Sequence, residues 1–273
     1  MLEIKVLKDY AEVKYQNNNG SKQTKVIAIS DIPALFDTKI LFDSGILPLF
    51  GEENVYGVQR IIQKDSSYIM VIQALNPFVN TLHNDSFSVN DDHRSSWGIK
   101  DNKAKSKDVI TKISVSGEYS DSAYCYKNIY MPNLLMVIHF KMQSGKYRAV
   151  NSGLLCYQDA FITDQTQLYE FPFANTYKGS TYGSICWGNM NPQVDSISQS
   201  VGLLHMFLGG IMNNDLYQRV KLTNGYEFNR ANELLAYLAV RSEELDRFPY
   251  MDIQLNKEVK YGELISYINT NWK

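Results

Sequence analysis

The residues best suited to covalent chemistry are a cysteine and an asparagine in the second half of the chain. Cys186 stands in the run Gly183-Ser184-Ile185-Cys186-Trp187-Gly188, and Asn175 precedes it by eleven residues. A thiol is a useful nucleophile where its surroundings favour the thiolate and leave the sulfur accessible, and flanking glycines allow another backbone to approach closely. A neutral amide such as that of Asn175 can donate a hydrogen bond to the oxyanion of a tetrahedral intermediate. The spacing predicts acyl transfer at Cys186, with Asn175 as the donor.

A general base for this cysteine is absent from the same stretch, which contains neither His nor Asp. This disfavours a Cys-His protease, although His205 or His139 can supply a base from elsewhere in the fold. Two ordinary interpretations also stand. A free cysteine is often a small buried hydrophobe, and an asparagine often closes a turn through its own backbone.

The other cysteines and the overall composition predict an intracellular protein of globular type. Cys125 and Cys156 lie beside aromatic residues in strand-like runs, which favours a role in core packing. Three cysteines without zinc-site spacing indicate a reducing compartment and no disulfide framework. The formal net charge of -2 gives no bulk attraction to nucleic acid or anionic lipid. No window predicts a membrane span, so we expect a cytoplasmic protein.

The order of the predicted elements is strands first and helices last. Alternating apolar positions predict strands over residues 1–29, 55–62 and 68–74, and an antiparallel hairpin from Asn133 to Cys156 with its turn at Ser144-Gly145. Helical spacing follows in Val194 to Met212, Phe228 to Arg247 and Val259 to Asn271. This order predicts an α+β fold.

Polar and charged residues between His83 and Asp108 divide the chain into three predicted regions. These are a β-rich N-terminal region (1–83), a polar linker or surface loop (84–108) and an α+β core (109–273). His83 and His93 lie near aspartates, but their spacing matches no ligand set, so we expect no metal there. Gly209-Gly210 follows a helix-like stretch rather than a strand, which excludes a dinucleotide fingerprint. We expect no cofactor.

Several short motifs resemble the prokaryotic ubiquitin-conjugating-like family D, which includes protein B of the PRTRC plasmid and integrative-element systems. The central motif combines Leu168-Tyr169, Pro172 and Asn175 with Gly183-Ser184-Ile185-Cys186, Gly188 and Pro192. Two upstream segments also match: Gly45-Ile46-Leu47-Pro48-Leu49-Phe50 resembles an early Leu-Pro segment, and Met131-Pro132-Asn133-Leu134-Leu135-Met136 resembles the start of the sheet hairpin. The resemblance covers residues 40 to 212.

The resemblance implies a ubiquitin-conjugating-enzyme-like core, with an antiparallel meander sheet, an irregular segment that carries the cysteine, and then helices. It also implies that Cys186 accepts the C-terminal acyl group of a ubiquitin-like protein from an adenylating, activating-enzyme-like partner and passes it to an amine. Asn175 would be the oxyanion donor, and Tyr182 and Trp187 would exclude water and bind substrate. Where eukaryotic ubiquitin-conjugating enzymes have His-Pro-Asn, this chain has Phe173-Ala174-Asn175 and keeps only the asparagine.

Two classes of function remain open from the sequence. One is an active conjugating enzyme with a thioester at Cys186, favoured by the Gly-Ser-Ile-Cys match. The other is an inactive relative that keeps the fold as a binding or structural module of a plasmid or phage element, favoured by the lost His-Pro pair and the long Asn175-to-Cys186 interval.

Overall fold

The structure is a computed structural model that describes residues 2–6, 10–16, 22–28, 56–63, 67–75, 79–86, 97, 109–115, 122–159, 162–177, 182–217, 219–242 and 244–271. The described strands, in chain order, are β1 (Leu2–Val6), β2 (Tyr10–Gln16), β3 (Lys22–Ala28), β4 (Tyr56–Gln63), β5 (Tyr68–Leu75), β6 (Val79–Asn84), β7 (Ile110–Ser114), β8 (Ser122–Tyr130), β9 (Asn133–Gln143), β10 (Lys146–Tyr157), β11 (Gln167–Glu170), β12 (Gln193–Val194), β13 (Ile211–Met212), β14 (Lys221–Leu222), β15 (Ile253–Gln254) and β16 (Lys257–Lys260). The described α-helices are α1 (Ser200–Leu208), α2 (Ala231–Arg241) and α3 (Tyr261–Asn271). The chain is therefore a mixed α+β protein.

The largest sheet runs in the order β16-β11-β10-β9-β5-β4. β12 also pairs with β10, at the start of that strand, whereas β11 pairs with its end. All of these pairings are antiparallel. The predicted hairpin is confirmed: β9 and β10 pair along their length and turn at Ser144-Gly145, where both residues have positive φ. β5, which comes from the predicted N-terminal region, pairs with β9 and so belongs to this central sheet.

Smaller sheets accompany the central one. β1, β2 and β3 form an antiparallel three-stranded sheet, which confirms strands within residues 1–29. A four-stranded sheet has the order β13-β6-β8-β7, in which β13 pairs with β6 in parallel. β14 and β15 form a two-stranded sheet near the C-terminal end.

The central sheet is buried on both faces, which explains the nearly continuous apolar run in β9. Alternate residues of β9 join two different cores: Leu134, Met136 and Ile138 join the larger one, whereas Leu135 and Val137 join the smaller one. The larger core also contains residues of α1, α2 and the four-stranded sheet. The smaller core lies under α3. The sheet is therefore the middle layer between these two groups of elements.

The helices form within the segments that the apolar spacing predicts, but all three are shorter than predicted. α1 ends at Leu208, before Gly209-Gly210, because glycine is a poor helix former. α2 ends at Arg241, whereas the predicted segment reached Arg247. α3 begins at Tyr261 rather than at Val259, since Lys257–Lys260 form β16, and it buries Leu264, Ile265 and Ile268, which the sequence placed on one side of the helix. At its start the Lys260 amide donates to a Glu263 carboxylate oxygen at 3.0 Å, which satisfies a donor that the helix leaves open.

Some predicted features lie outside the described residues. These are the Gly45-to-Phe50 motif, His93 and most of the polar segment 84–108. Of that segment the structure describes Asn84, Asp85, Ser86 and Trp97, and Trp97 is buried in the larger core. Among the described residues, no helix is long and apolar enough to cross a membrane.

Candidate active site

Backbone hydrogen bonds place the segment before Cys186 against strand β10. Gly153 and Ser184 form an antiparallel bridge, and the Leu154 amide donates to the Gly183 carbonyl oxygen at 3.0 Å. The Ile185 amide donates to the Ser152 carbonyl oxygen at 2.8 Å. Residues 183–185 therefore extend the central sheet beside β10, and Cys186 follows directly at the end of this extension.

The segment that contains Asn175 pairs in turn with the residues that extend the sheet. The Cys186 amide donates to the Asn175 carbonyl oxygen at 2.8 Å, and the Tyr177 amide donates to the Ser184 carbonyl oxygen at 2.7 Å. Thr176 and Ile185 form an antiparallel bridge between these bonds. Asn175 and Cys186, eleven residues apart in the chain, are therefore direct neighbours. Residues 178–181, which connect the two segments, lie outside the described part of the chain.

The Cys186 sulfur is partly exposed and accepts a hydrogen bond from a tyrosine. The Tyr177 hydroxyl donates to Cys186 Sγ over an oxygen-to-sulfur distance of 3.7 Å. The pKa of Tyr177 is raised chiefly by this hydrogen bond. The Tyr177 hydroxyl is therefore the hydrogen-bond donor that the structure places at the Cys186 sulfur. The sequence did not indicate Tyr177, because only the backbone pairing of residues 175–177 with residues 184–186 brings its hydroxyl to the sulfur.

The Asn175 side chain is held toward strand β13 by a hydrogen bond. Its Nδ2 group donates to the Ile211 carbonyl oxygen at 3.3 Å. Asn175 has a φ of 65°, in the left-handed region that asparagine tolerates better than most residues. The backbone carbonyl oxygen of Asn175 thus accepts a hydrogen bond from the Cys186 amide, while the side-chain amide of Asn175 links the site to the four-stranded sheet.

Tyr182 lies over β10 on the side of the sheet that carries α3. It packs against the smaller core, and its hydroxyl accepts a hydrogen bond from Asn151 Nδ2. Its ring centroid lies 5.7 Å from that of His139. Burial raises the pKa of Tyr182. Since Ile185 joins the larger core, strand alternation places Cys186 on the same side as Tyr182.

His139 belongs to the same cross-strand row as Cys186. It is paired with Asn151 across β9 and β10, and the register of the Gly153–Ser184 bridge places Cys186 opposite Asn151. Two strand spacings separate His139 from Cys186, a Cα distance of about 10 Å. Burial lowers the pKa of His139 to about 4, so the imidazole is neutral at pH 7. It can accept a proton, but only through an intervening group.

Trp187 and His205 are both associated with helix α1. Trp187 Nε1 donates to Ser152 Oγ at 2.6 Å, and its ring packs edge-on against Phe207 of α1 at 5.9 Å. These contacts direct the indole toward the larger core. His205 is exposed on α1. The structure thus brings Asn175, Tyr177 and Cys186 together, with Tyr182 nearby.

The other two cysteines are buried, as the sequence predicted. Cys156 is fully buried, and its thiol donates to the Glu170 carbonyl oxygen at 3.1 Å. Burial raises the pKa of Cys156 well above the ordinary value for a thiol. Of the three thiols, Cys186 is the accessible one.

Comparisons of the chain with protein-family models, with curated proteins and with solved structures gave no match.

Proposed function

We propose that this chain is a ubiquitin-conjugating-like protein that carries a ubiquitin-like modifier as a thioester on Cys186 and transfers it to an amine. Its partners in this reaction are the ubiquitin-like protein and an adenylating, activating-enzyme-like protein, in the cytoplasm of a cell that carries a PRTRC-type mobile element. The supporting observation is the Asn175–Cys186 backbone pair: it presents a partly exposed sulfur beside the asparagine that the family motif requires.

The order of elements supports a ubiquitin-conjugating-like core within the α+β fold. β5, β9, β10 and β11 are successive antiparallel neighbours in the central sheet. The irregular segment with Asn175 and Cys186 follows β11, and α1 follows that segment. This is the order of meander, cysteine segment and helices that the resemblance implies. β6, β7 and β8 lie between β5 and β9 in the chain and form part of the second sheet.

The proposed chemistry has two balanced steps. In the first, the Cys186 thiolate attacks the thioester carbonyl carbon on the activating enzyme; a new carbon–sulfur bond forms and the enzyme's thiolate leaves. In the second, an amine attacks the same carbon, an amide bond forms, and the Cys186 thiolate leaves and takes up the proton that the amine loses. The Tyr177 hydroxyl stabilises the thiolate as nucleophile and as leaving group. Asn175 Nδ2 acts as oxyanion donor once it turns from the Ile211 carbonyl.

The second candidate is an inactive binding or structural module with the same fold. The specific observation in its favour is the hydrogen bond from Asn175 Nδ2 to Ile211, which directs the amide toward β13 and gives it a structural role. The distance of His139 from the sulfur points the same way. Under this alternative the site residues hold the cysteine segment against the sheet and no thioester forms.

The test is thioester formation with a candidate ubiquitin-like protein, its activating enzyme and ATP. We expect an adduct on a non-reducing gel that thiol reductants remove. Cys186→Ala should abolish it, and Cys186→Ser should give an adduct that resists reductants, since an oxyester replaces the thioester. Cys125→Ala is the matched control and should form the adduct at the wild-type rate. A full-rate adduct on the Cys186→Ala protein would refute the proposal, and the absence of any adduct on the wild-type protein would favour the inactive module. Asn175→Ala at the wild-type transfer rate would remove Asn175 as the oxyanion donor.

A further inference from the structure

An open polar cleft lies at the turn end of the β9–β10 hairpin. It has a volume of about 310 Å³ and is lined by Gln143, Ser144, Lys146, Arg148, Asn191 and Gln193. The lining contains two cations and no anionic side chain. Amide and hydroxyl groups supply the remaining polar atoms. A cleft of this composition attracts an anion and offers it several hydrogen-bond donors.

Arg148 is one of the two cations that line this cleft. It is paired with Lys141 on β9 and with Gln193 on β12, so three strands hold its backbone. In the part of the chain that the structure describes, its guanidinium forms no ion pair or hydrogen bond. Lys141 contributes further positive charge and lies over the Tyr68 ring at 5.6 Å. A rigid strand therefore presents a guanidinium fork to solvent without a carboxylate to neutralise it.

Lys146 already holds a carboxylate, which shows the kind of group that the cleft accepts. Its Nζ lies 3.3 Å from Asp195 Oδ1, and the two side chains are 51% and 71% exposed. Exposed ion pairs of this kind are weak, so an external anion can compete with Asp195 for the ammonium group. With Asp195 displaced, both cations and the amides of Gln143, Asn191 and Gln193 are available to one ligand.

We propose that this cleft binds a phosphate monoester. A phosphate carries a charge of about −1.5 to −2 at pH 7 and three acceptor oxygens, so it can engage Arg148 by two hydrogen bonds and Lys146 by a third. A single carboxylate has only two oxygens and one charge. The cleft has more hydrogen-bond donors than a carboxylate has oxygens, so a phosphate can accept bonds from more of the lining side chains. The ester is carried either by a small molecule or by a phosphorylated peptide.

The cleft is close to Cys186 but does not depend on its chemistry. Arg148 precedes Asn151 by three residues on β10, and Asn151 is opposite Cys186, so about 10 Å along the strand separates the two places. A ligand held at Arg148 can therefore extend to the cysteine. The proposal does not rest on thioester formation and is tested by binding alone.

The test is calorimetric titration of the full-length chain at low ionic strength, with inorganic phosphate, a short phosphoserine peptide and the same peptide with glutamate in place of phosphoserine. We expect saturable binding of the first two and much weaker binding of the third. Arg148→Gln should weaken phosphate binding about tenfold, since it removes a charge-assisted bidentate contact. Asp195→Asn should strengthen it about two- to threefold, because the competing carboxylate is lost.

Arg230→Gln is the matched control, since Arg230 is exposed and lies outside the cleft. It should bind phosphate as the wild type does. Tighter binding of the phosphoserine peptide than of phosphate identifies a peptide as the source, and equal binding identifies a small phosphate ester. No saturable binding, equal binding of the glutamate peptide, or an unchanged affinity in Arg148→Gln would each overturn the proposal.

Discussion

Gly153 lies so close to Tyr182 that a methyl group on the glycine would overlap both the carbonyl oxygen and the ring of the tyrosine. Only a glycine at this position of β10 lets the cysteine-bearing segment bridge to the strand. The position of Cys186 beside the sheet therefore depends on the absence of a side chain at Gly153.

Replacement of Gly153 by alanine should displace the segment from Tyr182 to Cys186. We expect Gly153→Ala to lose about 1 to 3 kcal/mol in the free energy of unfolding, because the new methyl group meets backbone that cannot give way easily. Urea denaturation measures this loss. Gly202→Ala is the control: nothing lies within 4 Å of its added methyl group, and alanine favours α1. A Gly153→Ala protein with an unchanged midpoint would contradict the packing described above.

Thiol labelling of the native protein should modify one cysteine of the three. Cys186 is partly exposed, whereas Cys125 is 8% and Cys156 is 0% exposed. We expect a small alkylating reagent at neutral pH to label Cys186 alone, and all three thiols in denaturant. Peptide mass spectrometry identifies the modified residue. Resistance of Cys186 to the reagent, or labelling of Cys156 first, would show that the sulfur is not presented as described.

Removal of the Tyr177 hydroxyl should slow the reaction of Cys186. The hydroxyl donates to Sγ, and a donor at this place stabilises the negative charge that the sulfur carries as it attacks the reagent. We expect Tyr177→Phe to lower the alkylation rate at neutral pH about two- to threefold, as befits one weak, exposed hydrogen bond. Tyr267→Phe is the control, because Tyr267 is similarly exposed and lies on α3. An equal effect of both substitutions would assign no role to the Tyr177 hydroxyl.

Acid should destabilise the fold through His139. Burial lowers the pKa of this imidazole from 6.5 to about 4. The unfolded chain therefore takes up the proton first, so the contribution of neutral His139 is complete above about pH 6.5 and declines as the pH falls toward 4. We expect a loss of about 1 to 2 kcal/mol at about pH 5, reduced for the partial exposure of the ring.

The matched variant for this prediction is His139→Gln, which keeps a polar side chain but does not titrate. Urea denaturation at a series of pH values should show a shallower decline of stability in this variant than in the wild type between about pH 6.5 and 4. The same slope in both proteins would assign the acid sensitivity to other groups.

Local sequence patterns predicted the elements whose partners are near in the chain. The β9–β10 hairpin follows from alternation on both sides of Ser144-Gly145, and α3 follows from the spacing of Leu264, Ile265 and Ile268. The boundaries of α1 and α2 were less accurate. Apolar residues continue beyond both helices, and spacing alone does not tell a helical residue from a buried loop residue such as Phe248.

The sequence by itself determined the α+β class, the segments in which the three helices lie, and the burial of Cys125 and Cys156. These depend on hydrophobic periodicity, which is a local property. It also singled out Cys186 and Asn175 by residue type, but not their contact. The spatial pairing of β5 with β9 across a long insertion was likewise beyond any local pattern.

Only the tertiary structure decided how the candidate site is arranged. Three hydrogen bonds define it: from the Cys186 amide to the Asn175 carbonyl, from the Tyr177 hydroxyl to the Cys186 sulfur, and from the Asn175 side chain to the Ile211 carbonyl. The number of residues between the partners does not tell which residues pair. The direction of a side chain depends on which sheet face its backbone joins, and a shift of one residue reverses that face. Long-range backbone pairing therefore determines which side chains meet the sulfur, and the amino-acid order alone does not fix it.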